Sequence, residues 1–258
     1  TFTLAGTALT ATAAELNLLD DKDVTHLAVP GKIGGTNFTG SLLIGHATTG
    51  TLNAAENNVG VGATALDALT VGDFNVAVGG NAATANTGGV KNIAIGYNSL
   101  IGNSTGQQNV AVGYSAVQTA NNSYNTGIGN RTLEDATGAY NTALGHLAGG
   151  TIIGGQYNLC LGHTAGNNIT SGDGNVIIGD VDAASATGDR QLAIGTYDGS
   201  TTTTWITGDS SGNLTFGGTI TIGSATVTEA QLEILDGATI TTTELNLIDG
   251  GATIGTTA

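Results

Sequence analysis

Few residues in this chain could do chemistry, and their spacing limits what that chemistry is. His146 and His163 stand 17 residues apart and offer two imidazoles to a metal, but no third ligand accompanies them. Asp180, Asp182 and Asp189 are the nearest approach to a calcium cluster, and Gly172-Asp173-Gly174 is a single fragment of a calcium-binding Gly-Gly-x-Gly-x-Asp repeat. Cleaving a polysaccharide takes two carboxylates about 5–10 Å apart across a groove. Glu134 and Asp135 are adjacent, so strand alternation would point them apart, and solvated turn charges account for them more simply. Among 43 glycines, Gly-x-Gly matches carry no information, and none opens a helix after a strand to cradle phosphate. No Ser-His-Asp set can be nominated. Cys160, the one cysteine, has no partner for a disulfide, metal or redox pair and reads as a small buried hydrophobe. The expectation is a protein that is not an enzyme, with no catalytic residues, no cofactor and no resident metal.

Composition says how such a chain must be built. It has 258 residues and is 40% hydrophobic, but aromatics are 4% and Met is absent, so Ala, Val, Ile and Leu supply the apolar bulk. Burial must then come from many small, regular contacts rather than an irregular core of large side chains. Low charge, one Pro and recurring β-branched residues argue against disorder. Five basic against 20 acidic residues give a net charge of −15, a field that repels nucleic acid and anionic lipid. No run of 18 apolar residues exists to span a membrane, and no basic segment at the start suggests a signal peptide. The absent initiator Met reads as a processed or excised piece.

The regularity itself is visible as a five-residue phrase. It begins at Asn58 (NVGVG), Asn75 (NVAVG), Asn92 (NIAIG), Asn109 (NVAVG), Asn125 (NTGIG), Asn141 (NTALG), Asn158 (NLCLG) and Asn175 (NVIIG), with outlying copies at Ser41 and Gln191. Successive offsets from Ser41 are 17, 17, 17, 17, 16, 16, 17, 17 and 16 residues. Positions two and four are mostly Val, Ile or Leu and position three is small, the period of 2 that marks a short strand. A looser strand-like phrase and two turns complete each repeat. The expected fold is all-β: a stacked-rung β-solenoid or β-roll over 37–198, with flanks at 1–36 and 199–258. In-register stacking predicts an Asn ladder along Asn58, Asn75, Asn92, Asn109, Asn125, Asn141, Asn158 and Asn175, with amides bonding from rung to rung. The small residues at position three imply a packed surface close by, either the inside of a flat coil or a second chain. The shortness of a rung favours several chains round a common axis.

The same alignment sorts the rings. His46, Tyr97, Tyr114, His146 and His163 fall just after the repeat Gly, while Phe74, Tyr124, Tyr140 and Tyr157 fall just before the repeat Asn. Neighbours would stack roughly 5 Å apart. Ladder stacking alone explains such columns. The functional alternative makes Tyr97, Tyr114, Tyr124, Tyr140, Tyr157, His146 and His163 candidate glycan-contact residues. Tyr197 is the one tyrosine outside both columns.

The flanks carry another phrase: ATAAELNLLD at 11–20, TEAQLEILDG at 228–237 and TTTELNLIDG at 241–250. Thr12/Glu15, Thr228/Gln231 and Thr241/Glu244 are capping boxes that predict short helices, with Thr-rich strands such as Thr219–Ile222 beside them. The phrase T-x-x-E-L-N-L-[LI]-D-G, together with the N-[VT]-A-[VIL]-G repeats, resembles bacteriophage tail fibres, particularly those of marine cyanobacterial phages. The NVAVG ladder alone is similar to the head repeats of trimeric autotransporter adhesins. The resemblance spans nearly the whole chain and implies a homotrimeric fibre on a virion tail or extracellular surface. Its implied partners are copies of itself, other virion tail proteins and a host surface glycan. A cellular trimeric adhesin and a polysaccharide-degrading tailspike are the alternatives.

Overall fold

The computed structural model describes residues 41–44 and 53–221, together with the backbone of strand residues 3–4, 7–8, 31–33, 222 and 225–227. The helices expected at Thr12, Thr228 and Thr241 lie outside the described residues, as does His46; among the described residues there is no helix. The chain divides into two units, Thr1–Leu214 and Thr215–Ala258. In the second, the Thr-rich alternation forms an antiparallel hairpin of Ile220–Ile222 with Ala225–Val227.

The first unit opens with an antiparallel pair, β1 (Thr3–Leu4) and β2 (Thr7–Ala8). Then β3 (Gly31–Ile33) runs antiparallel to β4 (Leu42–Ile44). From there the strands stack parallel in chain order: β5 (Val59–Val61), β6 (Val76–Val78), β7 (Ile93–Ile95), β8 (Val110–Val112) and β9 (Thr126–Ile128). They continue through β10 (Thr142–Leu144), β11 (Leu159–Leu161), β12 (Val176–Ile178) and β13 (Leu192–Tyr197), after which β14 (Thr202–Gly208) returns antiparallel. The repeat is therefore a β-solenoid of about nine turns. Each strand meets its neighbour at the same position of the phrase, as in Val76↔Ile93, Ala77↔Ala94 and Val78↔Ile95.

Stacking the rungs decides which face of each strand is buried, and favours the inside of a coil over a second chain for position three. The small residues of position three point into the coil of their own chain: Ala77, Ala94, Ala111, Cys160 and Ile177 are fully buried. The large residues on either side, which their size alone would place in a core, point outward instead, with Ile95 40% and Leu144 51% exposed. The facing wall is the reason, because Leu66, Leu100, Val117 and Leu133 fill the narrow interior from the other side. A Cβ added at Gly127 would sit 2.6 Å from Val117 Cγ2 across the interior, and one at Gly60 would sit 2.3 Å from Leu43 Cδ2, its neighbour in the same column one rung away. Small and large alternate across the interior because there is room for only one.

That facing wall is also not the second strand the sequence suggests. Every other residue there is left-handed: Thr64 and Leu66, Asn81 and Ala83, Asn98 and Leu100, Ser115 and Val117, Arg131 and Leu133, all with φ between +49° and +58°. Such a conformation costs a non-glycine residue about 1–2 kcal/mol. Hydrogen bonds to both neighbouring rungs offset it: Asn81 N–H donates back to Ala63 O (2.9 Å) and Ala83 N–H donates forward to Ser99 O (2.9 Å).

The Asn ladder runs unbroken from Ser41 to Gln191. Asn75 Oδ1 accepts both the backbone N–H of Asn92 (3.0 Å) and its Nδ2–H (3.1 Å), while Asn92 Nδ2 also donates to Gly106 O (2.9 Å). At the first shortened rungs the backbone bond persists, Asn125 N–H to Asn109 Oδ1 at 2.9 Å and Asn141 N–H to Asn125 Oδ1 at 3.0 Å. Every ladder Asn is buried, so each bond replaces water.

One buried Asn outside this ladder is less well served. Asn103 belongs to an interior column with Leu69, Asn86, Ala120, Ala136, Ile152 and Ile169. Its Nδ2 donates to Gly106 O (3.0 Å), but its Oδ1 is buried with no hydrogen-bond partner among the described residues. Gly106 O keeps the bond from Asn92 Nδ2 if Asn103 is replaced. Asn103→Leu is therefore expected to stabilise the fold by about 1–2 kcal/mol, read as a higher urea midpoint at unchanged slope.

Candidate functional site

Three surface features follow from the stacking. The first is the pair of ring columns at the bends on either side of the strand. Tyr124 and Tyr140 stack with centroids 4.8 Å apart at 4°, and Tyr140 and Tyr157 at 4.7 Å and 5°. In the other column Tyr97 and Tyr114 lie 5.8 Å apart, and His146 and His163 lie 5.2 Å apart at 12°. Rings stacked face to face cover one another's apolar faces, so inner members such as Tyr140 show mainly edges. All seven candidate glycan-contact residues therefore sit in stacks that stabilise turns.

The second feature is the outward side of the sheet. Positions two and four of successive strands make two parallel columns of Val, Ile, Leu and Thr, half-exposed over the stacked rungs. Their length makes this a contiguous apolar surface rather than scattered exposed residues. The sequence signalled these residues by size but not by side.

The third lies where the repeat stops. Through β12 successive turns pair strand to strand in register, but β13 runs six residues where the other parallel strands run three. It then turns back through Asp198, whose Oδ1 accepts from Ser200 N–H (2.9 Å) and Thr201 N–H (2.8 Å). Between this hairpin and the last turns opens a cleft of about 370 Å³ lined by His163, Thr164, Asp180, Val181, Asp182, Tyr197 and Thr202. Asp180 takes the column place that rings hold in earlier rungs, and its Oδ2 lies 2.9 Å from His163 Nδ1 while its Oδ1 accepts from the Thr164 hydroxyl. The Thr164 hydroxyl first, and His163 with it, hold the Asp180 carboxyl below its ordinary value. Partial desolvation beside the cleft pushes the otherwise exposed Asp182 the other way. The lone Tyr197, outside both columns, is the sequence signal that points here.

The other sequence candidates are accounted for by local partners. Glu134 pairs with Arg131 Nε at 2.7 Å. Asp189 Oδ1 accepts from Asp173 N–H at 2.9 Å, away from any shared site with Asp180 and Asp182. His146 and His163 stack rather than converge, and no three His, Cys, Asp or Glu among the described residues are placed to hold a metal. Cys160 is buried and its thiol is pushed up to about 12 by that burial, which keeps it in the unreactive thiol form.

No known family model, curated protein or solved structure matches the chain.

Proposed function

We propose that the chain is a structural and adhesive fibre segment, a homotrimer whose protomers pack through the outward Val and Ile columns, of the kind found in phage tail fibres. One observation carries this reading: the apolar side of the sheet faces solvent for the whole length of the solenoid, with Ile95 40% and Leu144 51% exposed. A surface this regular in a chain of net charge −15 matches another copy of itself, since neighbouring copies would meet through neutral columns and keep their charges outside. A ladder of in-register rungs suits spacing or presenting a binding end, on a virion tail or extracellular surface. Light scattering on the intact chain is expected to give three times the 25.3 kDa protomer mass. Ile93→Lys with Ile95→Lys is expected to reduce that to the protomer mass while the circular dichroism of the sheet stays. A wild-type monomer would overturn the assembly, and shortening of host polysaccharide by the protein would overturn the non-enzymatic reading.

A further inference from the structure

The cleft at the end of the solenoid is concave and polar, and rung stacking does not explain it. We propose that the space between Tyr197, Thr202, Asp180 and Asp182 is a binding site for a neutral saccharide. The proposal deepens the adhesive half of the reading above and rests on it only for the choice of ligand class.

The site exists because the repeat breaks. A regular next turn would have placed a short strand and a bend over His163 and Asp180; the extended β13 and its reversal instead put Tyr197 opposite Thr202 at the hairpin tip. At about 370 Å³ the opening is at the lower end of small-ligand clefts, ~300–1,000 Å³, which suits one or two sugar rings. Tyr197 is 46% exposed and, unlike the other tyrosines, has no stacked ring partner among the described residues, which leaves its face for the apolar C–H side of a pyranose. Asp180 is held by His163 and Thr164, which use part of its acceptor capacity and fix its orientation; a carboxylate has about four lone-pair positions. The rest, with Asp182 and the Thr202 hydroxyl, offer acceptors and a donor to sugar hydroxyls. Two carboxylates in a chain of charge −15 repel sialic acids, uronic acids and sugar phosphates. The ligand class is thus a polyhydroxylated ring without negative charge.

Saturation-transfer NMR on the intact chain tests this, with methyl glucoside, methyl galactoside, methyl mannoside and N-acetylglucosamine as neutral probes and N-acetylneuraminic acid and glucose 6-phosphate as anionic ones. At least one neutral probe is expected to bind and both anionic probes to fail. Tyr197→Ala is expected to weaken binding at least tenfold, and Asp182→Asn, a change at an exposed side chain, to weaken it severalfold. Absence of binding by every neutral probe, preference for an anionic one, or wild-type affinity in Tyr197→Ala overturns the site. Native mass measured on the same samples separates the two readings. A trimer that binds no sugar removes the cleft and leaves the fibre; a monomer that binds through Tyr197 removes the fibre and leaves the cleft.

Discussion

Asn109→Asp is expected to destabilise the solenoid by about 3–5 kcal/mol at neutral pH, far more than the single-atom change suggests. Asn109 is fully buried in the middle of the ladder. Its Nδ2 donates to Asn92 Oδ1 (3.1 Å) and to Asn122 O (2.8 Å), while its Oδ1 accepts from Asn125 N–H (2.9 Å). An aspartate puts an acceptor where the structure supplies two acceptors and adds a buried charge. Asn109→Ala, which leaves Asn125 N–H and Asn122 O unpaired without adding charge, is expected to cost about 2–3 kcal/mol. The pH dependence separates the two. Burial and facing oxygens raise the folded pKa of the new carboxyl above its unfolded value near 3.9. The folded variant then binds the proton more tightly than the unfolded chain, so its stability falls as pH rises from about 4 towards that raised value. Urea titrations at pH 4 and pH 7 should show the Asp variant recovering part of its loss in acid while the Ala variant does not.

Gly96→Ala is the second large effect, expected at about 3 kcal/mol or more. The repeat Gly carries φ of +132° at this position, a region essentially reserved for glycine, and an added Cβ would lie 2.4 Å from Gly113 O in the next rung. That oxygen belongs to the backbone and cannot swing aside. The rungs on both sides are tied in as well, since Gly96 N–H donates to Val78 O and Gly113 N–H to Ile95 O, each at 2.8 Å. Gly154→Ala is the control: its φ is also positive, +87°, but an added Cβ meets nothing within 4 Å, so only the conformational cost remains, about 1 kcal/mol. Because a solenoid is stabilised rung by rung, Gly96→Ala is also expected to lower the slope of the urea transition as the stack divides into two parts.

These two positions show what could be read in the sequence. Asn109 and Gly96 recur with the repeat because each must match its copies above and below, so register, strand position, the Asn ladder and the ring stacks were all legible from spacing. Which way the strand faced was not. Position three is small whether it meets a second chain or the opposite wall of its own, and only the backbone shows Val117 and Leu133 filling the interior from that wall. The wall itself was hidden because Leu66, Leu100 and Val117 take left-handed conformations that their residue types disfavour, held by inter-rung hydrogen bonds that no local propensity encodes. The cleft was legible only as an exception, a tyrosine and a carboxylate that broke the column pattern.

The strands at the two ends of the stack carry a consequence for how copies meet. A parallel ladder with an open end is a template, and a further copy could add its own first rung in register and continue without limit. Here β3 lies antiparallel on β4 and β14 lies antiparallel on β13, with Leu214–Phe216 paired beyond β14 in the same sheet, so the parallel run from β4 to β13 is covered at both ends by a strand of opposite polarity. The parallel run is thus a ruler of set length, capped at both ends by strands of its own chain.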